Sequence, residues 1–212
     1  MIGRQVAVLL VVTAIFVAAC SKRVMVEVPP RVDLHLYEVI GVVDFESDAE
    51  GNLPAFATQR FIESIQQSQP GVQVLELGSA TELKGTLGLD KLDYAAMKSI
   101  REQYGVDAVI IGDMELSDVR PNIDLQNMMS AMNVSAKVDA SLATRLFETT
   151  RGATVWTRSA RRTDTVAHVG VNSGGAIRFD AKDPDKAYGT LVDALVHDIT
   201  RDFRVTYEQA SR

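Results

Sequence analysis

The sequence predicts an α/β fold: a mixed sheet with a β-α-β-α-β core, a long antiparallel hairpin and a C-terminal helix packed on the sheet. Three observations predict it. Between residues 34 and 112, β-branched runs alternate with segments whose apolar side chains recur at helical spacing. Residues 134–147 then alternate apolar and polar side chains as a long strand, and after a turn residues 153–165 return as its partner. Finally, residues 187–203 carry an apolar stripe typical of an amphipathic helix.

The core begins with a strand in residues 34–45, whose β-branched centre predicts burial on both faces. Residues 53–67 repeat an apolar side chain at every fourth position and predict a helix with Pro54 in its first turn. A short strand follows at 72–77. The acidic stretch before the helix predicts a solvated loop, because it lacks the glycine and glutamate of an EF-hand calcium site. Its carboxylates are Asp44, Glu46, Asp48 and Glu50.

The core ends with a second helix and strand. Residues 78–90 contain three glycines and predict a loop. Asp93 can accept hydrogen bonds from the first amides of a helix that ends at Tyr104, before Gly105. Residues 106–112 predict a second buried strand. Strand, helix, strand, helix, strand is the order of a mostly parallel core.

The second half predicts antiparallel pairing and a closing helix. Residues 134–147 alternate and predict a strand with one wet face, and 153–165 return as its partner. Residues 166–179 can form a shorter hairpin that turns at Ser173-Gly174-Gly175. Asp183 caps the final helix and Pro184 takes its first position.

The amino-terminal segment is typical of an export signal. Arg4 precedes an apolar run from Val6 to Ala19, which is shorter than the ~20 residues of a spanning helix. The run ends in Val17-Ala18-Ala19-Cys20, with the only cysteine of the chain. This sequence resembles the lipobox of bacterial lipoproteins. The resemblance implies a signal peptide at residues 1–19 and lipid attachment at Cys20.

The same resemblance implies what is attached and where the protein goes. Cys20 would carry a diacylglyceryl group on sulfur and an acyl chain such as palmitate on its amine; no other cofactor is expected. Several acyl chains on one residue anchor a protein durably in a bilayer, since each methylene buried in the membrane contributes about 0.8 kcal/mol of binding free energy. Ser21 in second position implies the periplasmic face of the outer membrane. The alternatives for Cys20 are an incidental thiol or a plain signal peptide cut nearby.

Beyond the anchor, residues 20–33 predict an extended tether, because Pro29-Pro30 favours extended geometry. Residues 34–212 are predicted to form a single periplasmic domain. The formal net charge is -6, and removing residues 1–19 takes away Arg4 and leaves -7. That balance argues against nucleic acid as a partner. The expected partners are the membrane, through the lipid, and an envelope protein or further copies of the chain.

Three motifs follow the lipobox in order: Val42-Val43-Asp44-Phe45, residues 105–112 and residues 148–155. In these the chain resembles the curli-production transport component (CsgG-type) family and its relatives with the TolB amino-terminal-like fold. That family has an AVLDF-like strand, a GAD-like strand and a D-x-x-TG-x-V-like turn. The resemblance covers residues 34–203 and implies an envelope lipoprotein.

The secretion pore of that family crosses the outer membrane with two long strand pairs. Each such strand needs ~9–11 alternating residues. Between Met114 and Val134 this chain has Pro121 and several polar side chains, which leave no room for an extra pair. Residues 166–179 offer only a thin apolar band, interrupted by His168 and Arg178. The sequence therefore argues against a pore-forming subunit.

Candidate chemistry is sparse. The three histidines, His35, His168 and His197, are scattered, so no metal site is expected. Residues 170–174 miss the serine-elbow spacing by one position, and a flexible turn at Ser173 is favoured. Two further sets of residues have both a structural and a functional interpretation. Three arginines could bind lipid phosphates or an acidic partner, or could lie on a solvated strand face: Arg158, Arg161 and Arg162. Three methionines could form a contact surface or fill gaps in the packing: Met128, Met129 and Met132.

The sequence favours a non-enzymatic binding or assembly module at the outer membrane, in envelope biogenesis or secretion. Two alternatives remain: a curli-type pore subunit, and a lipoprotein regulator of a cell-wall synthase. The short tether disfavours the regulator, because reaching through the wall needs a longer linker. A hydrolase using Ser173 ranks last.

Overall fold

A computed structural model describes residues 25–121, 136–166, 169–171, 177–179 and 182–209, and the side chains of 25–117, 136–166 and 182–209. The chain divides into two compact units, residues 30–204 and the two ends, 1–29 with 205–212. The strands are β1 (Met25–Val28), β2 (Val39–Val42), β3 (Glu46–Ser47), β4 (Glu50–Gly51), β5 (Gln73–Glu76), β6 (Ala108–Pro121), β7 (Ala136–Glu148), β8 (Ala153–Val166), β9 (Val169–Val171), β10 (Ile177–Phe179) and β11 (Thr206–Gln209). The α-helices are α1 (Leu53–Ser68), α2 (Ala80–Leu87), α3 (Tyr94–Tyr104) and α4 (Pro184–Ile199).

The smaller unit contains an antiparallel pair, β1 with β11. Sequence analysis predicted neither strand. Residues 25–28 lie inside the predicted tether, where four residues with no strong alternation gave no strand signal. A pairing between chain ends is invisible to local pattern, because each strand is stabilised by a partner far along the chain.

The larger unit is built on a mixed six-stranded sheet, which confirms the predicted fold class. Five strands run in the order β5-β2-β6-β7-β8, and β3 pairs with β6 as well. β2 is parallel to both of its neighbours, whereas β6, β7 and β8 form an antiparallel meander. A second sheet, β4-β10-β9, contains the predicted short hairpin as the antiparallel pair β9 and β10. The turn predicted at residues 173–175 lies outside the described residues.

The helices lie on both faces of the main sheet. The larger core joins α1 and α4 to the sheet through a row of aromatic contacts, Phe45 to Phe61, Phe61 to Phe203 and Phe203 to Trp156. The predicted stripe of α4 is buried there, from Ala187 to Ile199. A smaller core on the opposite face joins α2 and α3 to β2 and the start of β6.

Four features differ from the sequence prediction. The loop predicted at 78–90 contains α2, because Ser79 and Glu82 form a reciprocal capping box that outweighs the glycines. The first strand is short, since a 3-10 turn occupies Leu34–Leu36 before it. The acidic loop holds β3 and β4, and Asp48 accepts a hydrogen bond from the amide of Leu116 at 3.2 Å, so it is more ordered than a solvated loop.

The fourth difference concerns β6, which was expected to end at Gly112 and continues to Pro121. Met114 and Leu116 are buried while Asp113, Glu115 and Ser117 are exposed, so this stretch is a half-buried strand. In the sequence, the polar residues of β6 after Gly112 are typical of a loop, which is why this part of the strand was not predicted. At Gly112, Phe45 packs so closely that a Cβ would lie 2.3 Å from its ring, and only glycine fits.

Candidate binding surface

In the part of the chain that the structure describes, the β6-β7-β8 meander has one face covered by the core and one face that is largely exposed. On the covered face, Leu142, Leu146 and Trp156 are buried in the core with α4. On the other face, within the described residues, α2 and α3 cover the start of β6, where Val109 is buried, and the end of β7, where Phe147 packs against them. Beyond these positions lies a surface that we call the open face. Its members are exposed or half-buried side chains that alternate with the core positions: Asp113, Glu115, Ser141, Ala143, Arg145, Ser159 and Arg161.

Strand register orders these side chains into rows. Asp113, Ala143 and Ser159 are directly opposite one another on β6, β7 and β8. Glu115, Ser141 and Arg161 form the next row. Two strand spacings separate the outer members of a row by about 10 Å at the backbone. Carboxylates therefore line one side, a guanidinium lines the other, and small side chains form the floor between them.

These rows line an open cleft of about 510 Å³. Its volume is within the range of small-molecule sites, about 300–1,000 Å³, but it is open where such sites are enclosed. The floor side chains Ser141, Ala143 and Ser159 are too short to fill the space above the sheet. Because the cleft is open and is lined by side chains of both charges, it is suited to docking a polar surface of a partner that also carries both charges.

The charges of the open face are not used by the fold. In the part of the chain that the structure describes, Asp113, Glu115 and Arg161 have neither an ion pair nor a hydrogen bond from their side chains. Arg145 lies over the ring of Phe147, 5.6 Å from its centroid. Exposed charges contribute little to stability, so these residues are free to act in recognition.

The predicted arginine set is divided by the strand. Arg158 donates to Asp202 at 2.7 Å, and Arg162 pairs with Asp198 on α4. Arg161 points to the other face and lines the cleft. The three therefore do not form one patch for phosphate groups. Asp113 and Glu115, which sequence analysis missed, join Arg161 instead, and the alternation Asp113-Met114-Glu115-Leu116 was the signal for them.

The two histidines that the structure describes, His35 and His197, do not form a site either. The ring of His35 hydrogen-bonds the carbonyl of Pro70 at 3.1 Å and Asp33 at 3.1 Å, and both contacts raise the pKa of His35. The ring of His197 contacts the guanidinium of Arg204 at 2.8 Å. The remaining sequence-predicted positions lie outside the described residues: Cys20, Met128, Met129, Met132, His168 and Ser173.

The GAD-like motif has a structural role. Asp107 accepts hydrogen bonds from the amide of Glu38 at 3.0 Å and from Arg101 at 2.9 Å. The hydroxyl of Thr149, a member of the third motif, contacts the carbonyl oxygens of Val106 and Asp107, each at 2.8 Å. These contacts join the ends of β2, β6 and β7. The two motifs thus encode strand connections, as expected for residues that fix a fold.

No family model matches this chain, and no curated protein matches it. Among solved structures, it is similar to the PelC dodecamer from Paraburkholderia phytofirmans, at 12% identity and a TM-score of 0.48, over 90% of this chain and 100% of that chain. It is also similar to lipoprotein GNA1162 from Neisseria meningitidis, at 18% identity and a TM-score of 0.38, over 77% and 98%. The LpoB C-terminal domain from Escherichia coli matches at 18% identity and a TM-score of 0.38, over 60% and 83%.

Likeness at this level carries no conclusion about what the chain binds, and the resemblance to the CsgG-type family stays a prediction. Among the described residues, none of the helices combines the length and hydrophobicity required to span a bilayer. The described residues also contain no group of three or more His, Cys, Asp or Glu side chains arranged for a metal ion.

Proposed function

We propose that this protein is a lipoprotein of the outer membrane, anchored by acyl chains on Cys20, whose periplasmic domain is a non-enzymatic binding or assembly module. The anchor is inferred from the lipobox at the end of the apolar run. The binding role is inferred from the open face. Within this proposal the CsgG-type resemblance suggests the setting, envelope biogenesis or secretion.

The observation that carries the binding role is the contrast between the two faces of one meander. On one face the arginines of β8 are bound by acidic residues of the same chain, as with Arg158 and Asp202. On the other face, Asp113, Glu115 and Arg161 have no such partner among the described residues. The strands that carry these side chains are already ordered, so no backbone entropy is lost when a partner docks, and the cost is limited to side-chain rotamers.

The test is site-specific photocrosslinking in cells that make the full-length chain. A photoreactive amino acid replaces Ser159, on the floor of the open face, and in a control it replaces Gln59, exposed on α1. We expect ultraviolet light to give a discrete adduct from position 159, at least about fivefold stronger than from position 59. A position 159 that gives no more adduct than position 59 would contradict the binding role of this face.

A further inference from the structure

The smaller unit exposes a large share of the apolar side chains found at the surface. All four residues of β11 and three of the four residues of β1 are exposed. Four of the eight large hydrophobic side chains that are exposed in the described part of the chain belong to this unit: Met25, Val26, Val205 and Tyr207. A two-stranded sheet is marginally stable in water unless another surface covers it, so this exposed pair indicates a contact surface.

The register places two of these side chains on one face of the pair. Met25 lies opposite Gln209, and Glu27 lies opposite Tyr207. Alternate residues of a strand share a face, so Met25 and Tyr207 are diagonal neighbours within reach of one another. We call this side of the pair the ribbon face, and its members are Met25, Glu27, Tyr207 and Gln209.

The position of this face along the chain favours one partner, the lipid bilayer. Four residues separate Cys20 from β1, which begins at Met25. At about 3.4 Å per residue, even a fully extended chain places Met25 within ~17 Å of Cys20. Acyl chains on Cys20 hold that residue at the membrane surface. The first strand of the smaller unit therefore lies beside the lipid headgroups.

We propose that the ribbon face docks on the phospholipid headgroups of the membrane that anchors the protein. This inference rests on the acylation of Cys20 in the proposed function. It adds a second contact with the same membrane, made by the folded chain itself. The occupant of the face is a phospholipid surface, and neither a second copy of the chain nor another protein is required.

The side chains of the ribbon face determine how deep it lies. Tyr207 combines an apolar ring with a polar hydroxyl, and tyrosine is enriched at membrane–water interfaces for this reason. Glu27, directly opposite Tyr207, carries a carboxylate, and a charge within the hydrocarbon is costly. The face therefore lies in the headgroup layer, which is about 5–7 Å thick on each side of a bilayer. At that depth the carboxylate stays hydrated while Met25 and the ring of Tyr207 leave water.

The charge near the anchor permits this contact. Without its signal the chain has a formal net charge of -7, and anionic lipids repel a surface of that sign. The segments next to the anchor differ, because Lys22 and Arg23 balance Glu27 and Glu208, which leaves residues 20–28 and 205–209 with no net charge. Charges more than a Debye length from the headgroups, about 8 Å at physiological salt, contribute little. The ribbon face can therefore approach the headgroups without repulsion.

The test uses tryptophan reporters in the full-length, acylated chain, reconstituted into vesicles. The vesicles contain mostly phosphatidylethanolamine, with a minority of phosphatidylglycerol and of a lipid whose headgroup carries a nitroxide, which quenches tryptophan at close contact. Tyr207→Trp on β11 and Met25→Trp on β1 each place a reporter on the ribbon face. The native Trp156 is buried and present in every sample, so the signal of the wild-type chain is subtracted.

Two controls isolate contact by this face. Val26→Trp places the reporter on the other face, at a level between Met25 and Tyr207, so it is equally close to the anchor. Tyr94→Trp replaces a tyrosine of α3 that is 69% exposed, against 62% for Tyr207. We expect the nitroxide to quench the reporters at positions 25 and 207 at least about twofold more strongly than those at positions 26 and 94.

The outcomes separate this inference from the proposed function. Quenching at positions 25 and 207 that is no stronger than at position 26 would overturn the docking of the ribbon face, and so would quenching no stronger than at position 94. Palmitate labelling of the same variants reports the anchor independently. A chain that carries the label without face-specific quenching loses only this inference. A chain without the label loses the anchor, and the proposed function fails together with the inference.

Discussion

Replacing Gln69 with leucine is expected to lower the free energy of unfolding by about 3–5 kcal/mol, because three backbone groups, two buried and one half-buried, lose their partner. Gln69 is 3% exposed. Its amide nitrogen donates to the carbonyls of Val32 at 2.7 Å and Phe203 at 3.0 Å, and its oxygen accepts from the amide of Leu34 at 2.7 Å. One side chain thus joins both ends of the larger unit to the end of α1.

Urea denaturation followed by circular dichroism measures this effect. Gln66→Leu, exposed on the same helix, is the matched control and is expected to change the free energy of unfolding by less than about 0.5 kcal/mol. Equal midpoints for the wild type and Gln69→Leu would show that the hydrogen bonds of Gln69 do not stabilise this unit.

Asp202→Asn is expected to cost about 2 kcal/mol at neutral pH, the range of hydrogen bonds to a charged group. The side chain of Asp202 is 14% exposed, and it accepts from Arg158 at 2.7 Å and from Trp156 at 3.2 Å. Burial alone would raise the pKa of Asp202, but the hydrogen bonds from Arg158 and Trp156 outweigh it and hold the pKa below its ordinary value.

The sign of the pH dependence follows from that lowered pKa. The unfolded chain protonates Asp202 near pH ~3.9, whereas the folded chain keeps it ionised to lower pH. Its contribution to stability is therefore complete above about pH 5 and is lost as the pH falls through the folded pKa. The stability difference between the wild type and Asp202→Asn should shrink over that acidic range. Asp90→Asn, an exposed carboxylate, is the control, and a pH-independent difference would refute the assignment to ionisation.

Sequence analysis predicted the elements whose signals are local. The stripe of α4, the cap at Asp93 and the alternation of β7 each depend on neighbouring residues, and the structure confirms all three. It missed α2 because the glycines at 85 and 88 were given more weight than the capping box at Ser79. Gly88 in fact ends that helix, in the left-handed conformation.

The open face was predicted only in part, for a physical reason. The wet positions of β7 and the exposed Arg161 follow from alternation. Which strand lies beside β7, and in what register, depends on pairing across the sheet, so the row of Glu115, Ser141 and Arg161 appears only in three dimensions. Alternation also cannot tell a solvated face from a docking face, because both need polar side chains.

The most direct measurement of the central claim is metabolic labelling of cells with radioactive palmitate, followed by separation of soluble and envelope fractions. We expect the wild-type chain to carry label and to stay with the outer membrane. The Cys20→Ala variant is expected to lose the label and, if another peptidase cuts it, to leave the envelope. An unlabelled wild-type chain, or equal labelling of Cys20→Ala, would contradict the lipid anchor and the account built on it.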